Sequence, residues 1–147
     1  MNFTPFHERC PEIAAREMWR YTLQKSTRGL PAGDYLFVES YCSEPGCDCR
    51  RVFLNVIWQG RPGISRGQDA TIGFGWERPE FYIEWMAGDE SGANLAGANL
   101  EPMQRQGPMA EALLEMTKAV ILSSPGAVDW IKRHYAAFKA SVEATAT

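Results

Sequence analysis

Three cysteines fall within eight residues of this chain, in the run Tyr41-Cys42-Ser43-Glu44-Pro45-Gly46-Cys47-Asp48-Cys49. Thiolates are soft donors that suit zinc, and structural zinc sites gather four thiolate or imidazole ligands in a tetrahedron. In an extended backbone side chains alternate, so Cys47 and Cys49 point to one side. Pro45-Gly46 supplies a turn that can bring them round to Cys42. Glycine at 46 also leaves room for backbone N–H groups to approach the sulfurs. The alternatives to a metal are free or redox-active thiols, or small buried cysteines that merely line a sheet. The last reading suits Cys42, which shares a strand face with Leu36 and Val38, better than it suits Cys47 and Cys49 in their polar turn. A disulfide across Cys-x-Cys would close a strained ring.

A closed site needs a fourth ligand. Cys10 is the first choice: it precedes Pro11 at an expected helix start, where the positive end of the helix dipole lowers a thiol pKa. The predicted metal set is therefore Cys10, Cys42, Cys47 and Cys49, with zinc as the cofactor, and His134 and His7 as the other candidates for the fourth place. Water there would leave an open site of the catalytic kind. Three thiolates already neutralise the ion and weaken it as a Lewis acid, which favours a structural role.

The zinc-protease HExxH, the phosphate loop GxxxxGK[ST] and the GxSxG elbow do not occur, and Gly73-Phe74-Gly75 lacks the third glycine of a dinucleotide fingerprint. No catalytic residue is assigned. A Cys–His nucleophile pair, from Cys10 or Cys49 with His134, could arise only through the fold. Between Arg50 and Arg66 stand four arginines and no acid, whereas Glu77 to Glu101 holds six acids and only Arg78. These are two faces that complement each other, or an arginine clamp for an oxyanion near the cysteines.

The elements that must position these residues follow from periodicity. A helix is expected from Pro11 to about residue 24, with Ala14, Ala15, Met18, Trp19, Tyr21 and Leu23 on its apolar face. Strands are expected at 35–42 and 51–58, bracketing the cysteine loop, and two shorter ones at 71–76 and 80–85. Arg61-Pro62-Gly63 with Gly67 makes the connection between them. Residues 87–108 read as an irregular, Gly- and Ala-rich surface loop; its Ala93-Asn94-Leu95 and Ala98-Asn99-Leu100 are too few units for a solenoid. A helix follows through Met109, Leu113, Met116 and Val120. The last helix starts at Ser124-Pro125, with Ile131, Tyr135, Phe138 and Val142 as its buried stripe. The expected fold is α+β: one domain over 1–147, with an antiparallel four-stranded meander packed by an N-terminal helix and two C-terminal helices.

The segments Leu30-Pro31-Ala32-Gly33-Asp34-Tyr35, Glu39-Ser40-Tyr41-Cys42 and Pro45-Gly46-Cys47-Asp48-Cys49-Arg50-Arg51-Val52 resemble a family of bacterial proteins of similar size with the same Tyr-Cys…Cys-Asp-Cys-Arg-Arg signature. The likeness extends from Cys10-Pro11 to Arg133-His134-Tyr135 and implies a bacterial origin; it brings no established activity. The Cys-x-Cys element is also similar to zinc-binding C-terminal motifs of secretion-associated proteins, which continue to a later Cys-His or Cys-Cys pair that this chain lacks.

Composition bounds the rest. The chain has 147 residues, 45% hydrophobic, and a net charge of -3 from 18 acids and 15 bases. That length can bury a core without staples. The acidic balance argues against binding nucleic acid by bulk charge. No run approaches a membrane span and no export signal precedes the first helix, so a cytoplasmic location is expected. A reducing compartment favours metal over disulfide. The resulting expectation is a structural zinc domain acting as an interaction module, with a protein partner or a second copy. A zinc- or thiol-dependent enzyme working through the 42–49 loop is the alternative.

Overall fold

The computed structural model describes residues 2–60 and 69–146, so the expected turn at 61–67 lies outside the described residues. The chain opens with a short strand, β1 (Phe3–Pro5), and two short helices, α1 (Phe6–Arg9) and α2 (Pro11–Arg16). It continues through β2 (Trp19–Leu23), β3 (Gly33–Cys42), β4 (Arg51–Trp58) and β5 (Ala70–Gly75). After α3 (Pro79–Trp85) and a 3-10 turn, Glu90–Leu95, comes β6 (Gly97–Leu100). Helix α4 (Ala110–Met116), a π turn over Thr117–Ile121 and the long α5 (Ala127–Thr145) complete it. The class is α+β.

All strand pairs are antiparallel, and the sheet has six strands rather than four. Strands β3, β4, β5 and β6 form a meander, while β1 and β2 lie end to end along the other edge of β3. Three local readings are corrected. The helix from Pro11 stops at Arg16, because Trp19, Tyr21 and Leu23 also fit a period of two and are aromatic or strand-favouring residues. They pair with Phe37, Tyr35 and Gly33. Residues 80–85 form a helix, with Pro79 at its first position and Tyr82 its one fully buried side chain. The fourth strand of the meander comes from 97–100 instead, within the supposed surface loop.

Register fixes the faces. Tyr35, Phe37, Glu39 and Tyr41 alternate on one face of β3 and lie opposite Trp58, Val56 and Leu54 of β4. One buried cluster joins Tyr35, Phe37, Tyr41, Val52, Leu54, Val56 and Ile72 to Leu113, Met116, Ile131, Phe138 and Val142 of the helices. Helix α5 starts after Gly126, whose φ of 81° is the left-handed region, and not at Ser124-Pro125. Its fully buried stripe runs through His134; Tyr135 is only half-buried. None of the helices among the described residues is long and apolar enough to cross a membrane.

Candidate metal centre

The hairpin from β3 to β4 places its cysteines at the two strand ends and the turn between. Cys42 is the last residue of β3, and Cys49 stands two before β4. Between them the Cys47 N–H donates to the Glu44 carbonyl at 3.2 Å across Pro45-Gly46, with Gly46 at φ 76°. Proline at the second and left-handed glycine at the third place are the signature of a type II turn. The fold thereby brings the sulfurs of Cys42, Cys47 and Cys49 within 4.8 Å of one another. Thiolates about 2.3 Å from a tetrahedral zinc stand roughly 3.8 Å apart, so a small contraction would let these sulfurs hold an ion of that kind. Cys42 and Cys49 are fully buried and Cys47 is half-buried.

Burial raises the Cys42 pKa; the Glu44 N–H on its sulfur opposes this, Cys47 reinforces it, and the Lys139 ammonium opposes it. Burial pushes the Cys49 thiol up to about 12, helped by Cys47 and Cys42 and opposed by the Arg51 N–H at its sulfur. Three thiolates so close would repel strongly without a cation between them. In both buried cysteines the N–H comes from the residue two positions on, an arrangement that orients a thiolate toward an ion. The Gly46 N–H goes elsewhere, donating to Glu143 Oε1 at 2.7 Å.

The loop is anchored to α5. Lys139 Nζ donates to the carbonyls of Cys42 at 3.0 Å and Glu44 at 3.3 Å, and the Arg50 N–H donates to the Tyr135 hydroxyl at 3.3 Å. Arg50 turns the chain from Cys49 into β4 with φ 49°, a left-handed conformation that costs a non-glycine residue about 1 kcal/mol. Contacts on every side hold it there. Its guanidinium meets Asp48 at 2.9 Å and Glu77 at 2.7 Å and lies over the Phe81 ring, and its carbonyl accepts from the Tyr82 hydroxyl at 2.7 Å. Arg51 pairs with Glu101 at 2.8 Å. The basic stretch and the acidic stretch therefore neutralise one another within the fold, at least through these two arginines.

Cys10 is not part of the converged group. It lies between α1 and α2, half-buried, and its side chain makes no capping hydrogen bond. Burial raises its pKa and the neighbouring Arg9 only partly offsets that, the reverse of the expected lowering. A helix of six residues sums few peptide dipoles. His7 is exposed on α1. His134 is engaged at both ring nitrogens: Nδ1 meets Glu39 Oε1 at 2.8 Å and Nε2 meets Glu17 Oε1 at 2.7 Å. Its ring stacks on Phe6 at 4.4 Å between centroids, and the Tyr41 hydroxyl donates to Glu39 at 2.5 Å. Burial works to lower the His134 pKa, but the hydrogen bonds to Glu39 and Glu17 outweigh it and the net shift is upward. The Glu17 pKa is lowered, first by the His134 hydrogen bond and then by that of Arg133. This carboxylate–imidazole–carboxylate chain is a cross-brace from the α2–β2 link through α5 to β3. Sequence reasoning missed it, as it missed the Arg50, Tyr82 and Tyr135 frame behind the cysteines. The only sequence signal for the brace was a histidine on the edge of an apolar stripe.

Comparison with known protein families, with characterised proteins and with solved structures returned no match. Functional assignment therefore rests on the site itself.

Proposed function

We propose that the chain is a zinc-stabilised interaction module, in which Cys42, Cys47 and Cys49 hold one ion at the β3–β4 hairpin. The observation that carries this reading is the convergence of three sulfurs within 4.8 Å, two of them fully buried. Thiolate donors select zinc among the abundant divalent cations. A small exogenous ligand completes the tetrahedron, because Cys10 lies outside the group and both nitrogens of His134 are occupied. Three thiolates on one divalent ion leave a net negative complex, which Lys139 faces, and this argues against a Lewis-acid role. The ion would fix the loop from inside while Lys139, Glu143 and Tyr135 fix it from outside. A core of this size does not need the metal to fold, so the ion shapes a local surface for a partner.

The test is elemental analysis of protein purified without chelator under reducing conditions. About one zinc per chain is expected, lost in Cys42→Ser, Cys47→Ser and Cys49→Ser and kept in Cys10→Ser. Chelation should lower Tm by only a few degrees, roughly the value of one clamped loop, and leave the core folded. Zinc retained by all three loop variants, or lost only in Cys10→Ser, would overturn the assignment.

A further inference from the structure

The second face of the sheet, opposite Tyr35, Phe37 and Tyr41, carries a cleft of about 350 Å³ that the metal centre does not use. Its wall includes Phe3 and Phe53, stacked in parallel with centroids 3.9 Å apart. At its base lies the Arg51–Glu101 pair, both side chains largely buried. Gly73 makes room for that pair: a Cβ there would overlap Glu101 Oε1 and stand 2.5 Å from Arg51 Nη2. A larger residue in the middle of β5 would fill the cleft from below.

The cleft presents several unpartnered donors alongside the acceptor-bearing side chains Glu101 and Gln104. Arg51 Nε donates to the Leu95 carbonyl at 3.2 Å and Nη2 to Glu101, but Nη1 has no protein partner among the described residues. Asn55 Oδ1 accepts from the Thr71 hydroxyl at 3.1 Å, which orients the amide and leaves the Asn55 Nδ2 hydrogens without a protein acceptor among those residues. The Ser40 hydroxyl likewise has none and opens on the cleft. At the rim, Met103 is 91% exposed, a flexible apolar side chain free to fold over an occupant.

We propose that this cleft binds a small monocarboxylate with a flat apolar body. The carboxylate would accept from Arg51 Nη1, Asn55 Nδ2 and Ser40, and the body would lie against the Phe3–Phe53 plates under Met103. Planar forks favour carboxylate oxygens. Glu101 already balances the Arg51 charge, so recognition of the carboxylate rests on direct hydrogen bonds and a dianion such as phosphate is disfavoured. The volume sits at the low end for ligand pockets and suits a molecule of about ten heavy atoms.

The experiment is an NMR titration of the full chain with sodium benzoate, with benzamide and inorganic phosphate as separate arms. Benzoate should give saturable shifts at Ser40, Phe53, Asn55 and the Arg51 side-chain Nε–H, with a Kd of about 1–10 mM as befits nine heavy atoms. Benzamide and phosphate should each bind at least ~5-fold more weakly, each lacking one half of the match. Ser40→Ala removes one donor without touching the ion pair and should weaken benzoate about 3-fold. Arg51→Gln should abolish binding; if that variant fails to fold, the Ser40→Ala and benzamide comparisons still decide. No saturation up to about 50 mM, equal binding of phosphate, or shifts confined to other grooves would overturn the proposal.

Discussion

Replacing His134 by leucine tests the brace that links three parts of the chain. The imidazole is fully buried and bridges Glu39, itself 5% exposed, to Glu17. Leucine is similar in bulk, so the variant removes hydrogen bonds more than packing. It leaves the Glu39 carboxyl with the Tyr41 hydroxyl alone, and Glu17 with Arg133. Removing one member of a buried pair costs about 3–5 kcal/mol. The Glu17 end is open to solvent and adds little, so the lower figure of about 3 kcal/mol is expected, or a Tm drop of roughly 6–12 °C. The pH dependence gives the sharper check. His134 is raised in the folded state, so its contribution is complete below the ordinary histidine value of about 6.5 and is lost as pH rises through the raised value. Glu17 is lowered, so its contribution is present above the ordinary value of about 4.5 and is lost as pH falls through the lowered one. The stability gap between wild type and variant should therefore be widest from mildly acidic to neutral pH and narrow on both sides. Urea unfolding from about pH 4 to 9, followed by tryptophan fluorescence, measures it. A gap below about 1 kcal/mol, or one that stays constant across that range, would refute the reasoning.

Two further perturbations read other parts of the frame. Gly73→Ala should destabilise by about 2–4 kcal/mol in denaturant titrations, because its Cβ displaces the Arg51–Glu101 pair; combining it with Glu101→Ala should cost less than the sum of the two. Tyr82→Phe should cost about 1–3 kcal/mol by leaving the Arg50 carbonyl and the Glu77 N–H without their partner, and calorimetry on the purified variant will show it.

What the sequence discloses is what is local. Strands β3 and β4 were legible because their alternation is long, and the cysteine group because its spacing and its Pro-Gly turn lie within eight residues. Trp19–Leu23 satisfied helical and strand periods at once, and pairing with β3 decided between them. Residues 80–85 alternate as a strand would, yet Pro79 and a single buried tyrosine make a helix. Gly97–Leu100 is four residues with a leading glycine, too short for any period to show, and becomes a strand only because β5 offers an edge. The left-handed Arg50 and the Glu17–His134–Glu39 chain depend on contacts 32 to 117 residues apart in sequence. No window along the chain contains both ends of such contacts.

Strand β3 meets two separate neighbours along one edge, three residues of β1 toward Cys42 and five of β2 toward Gly33. An edge made in two pieces can open in two independent steps. Lifting β1 breaks three residue pairs and the Phe3–Phe53 stack, far less than unfolding the sheet. The end it uncovers spans Ser40 to Cys42, which carries a thiol of the candidate metal centre and a donor of the proposed cleft. Entry to either site, and departure from it, would pass through the same small fluctuation. An occupant of one would hold that strand down for the other, coupling two unlike ligands through three residues at the start of the chain.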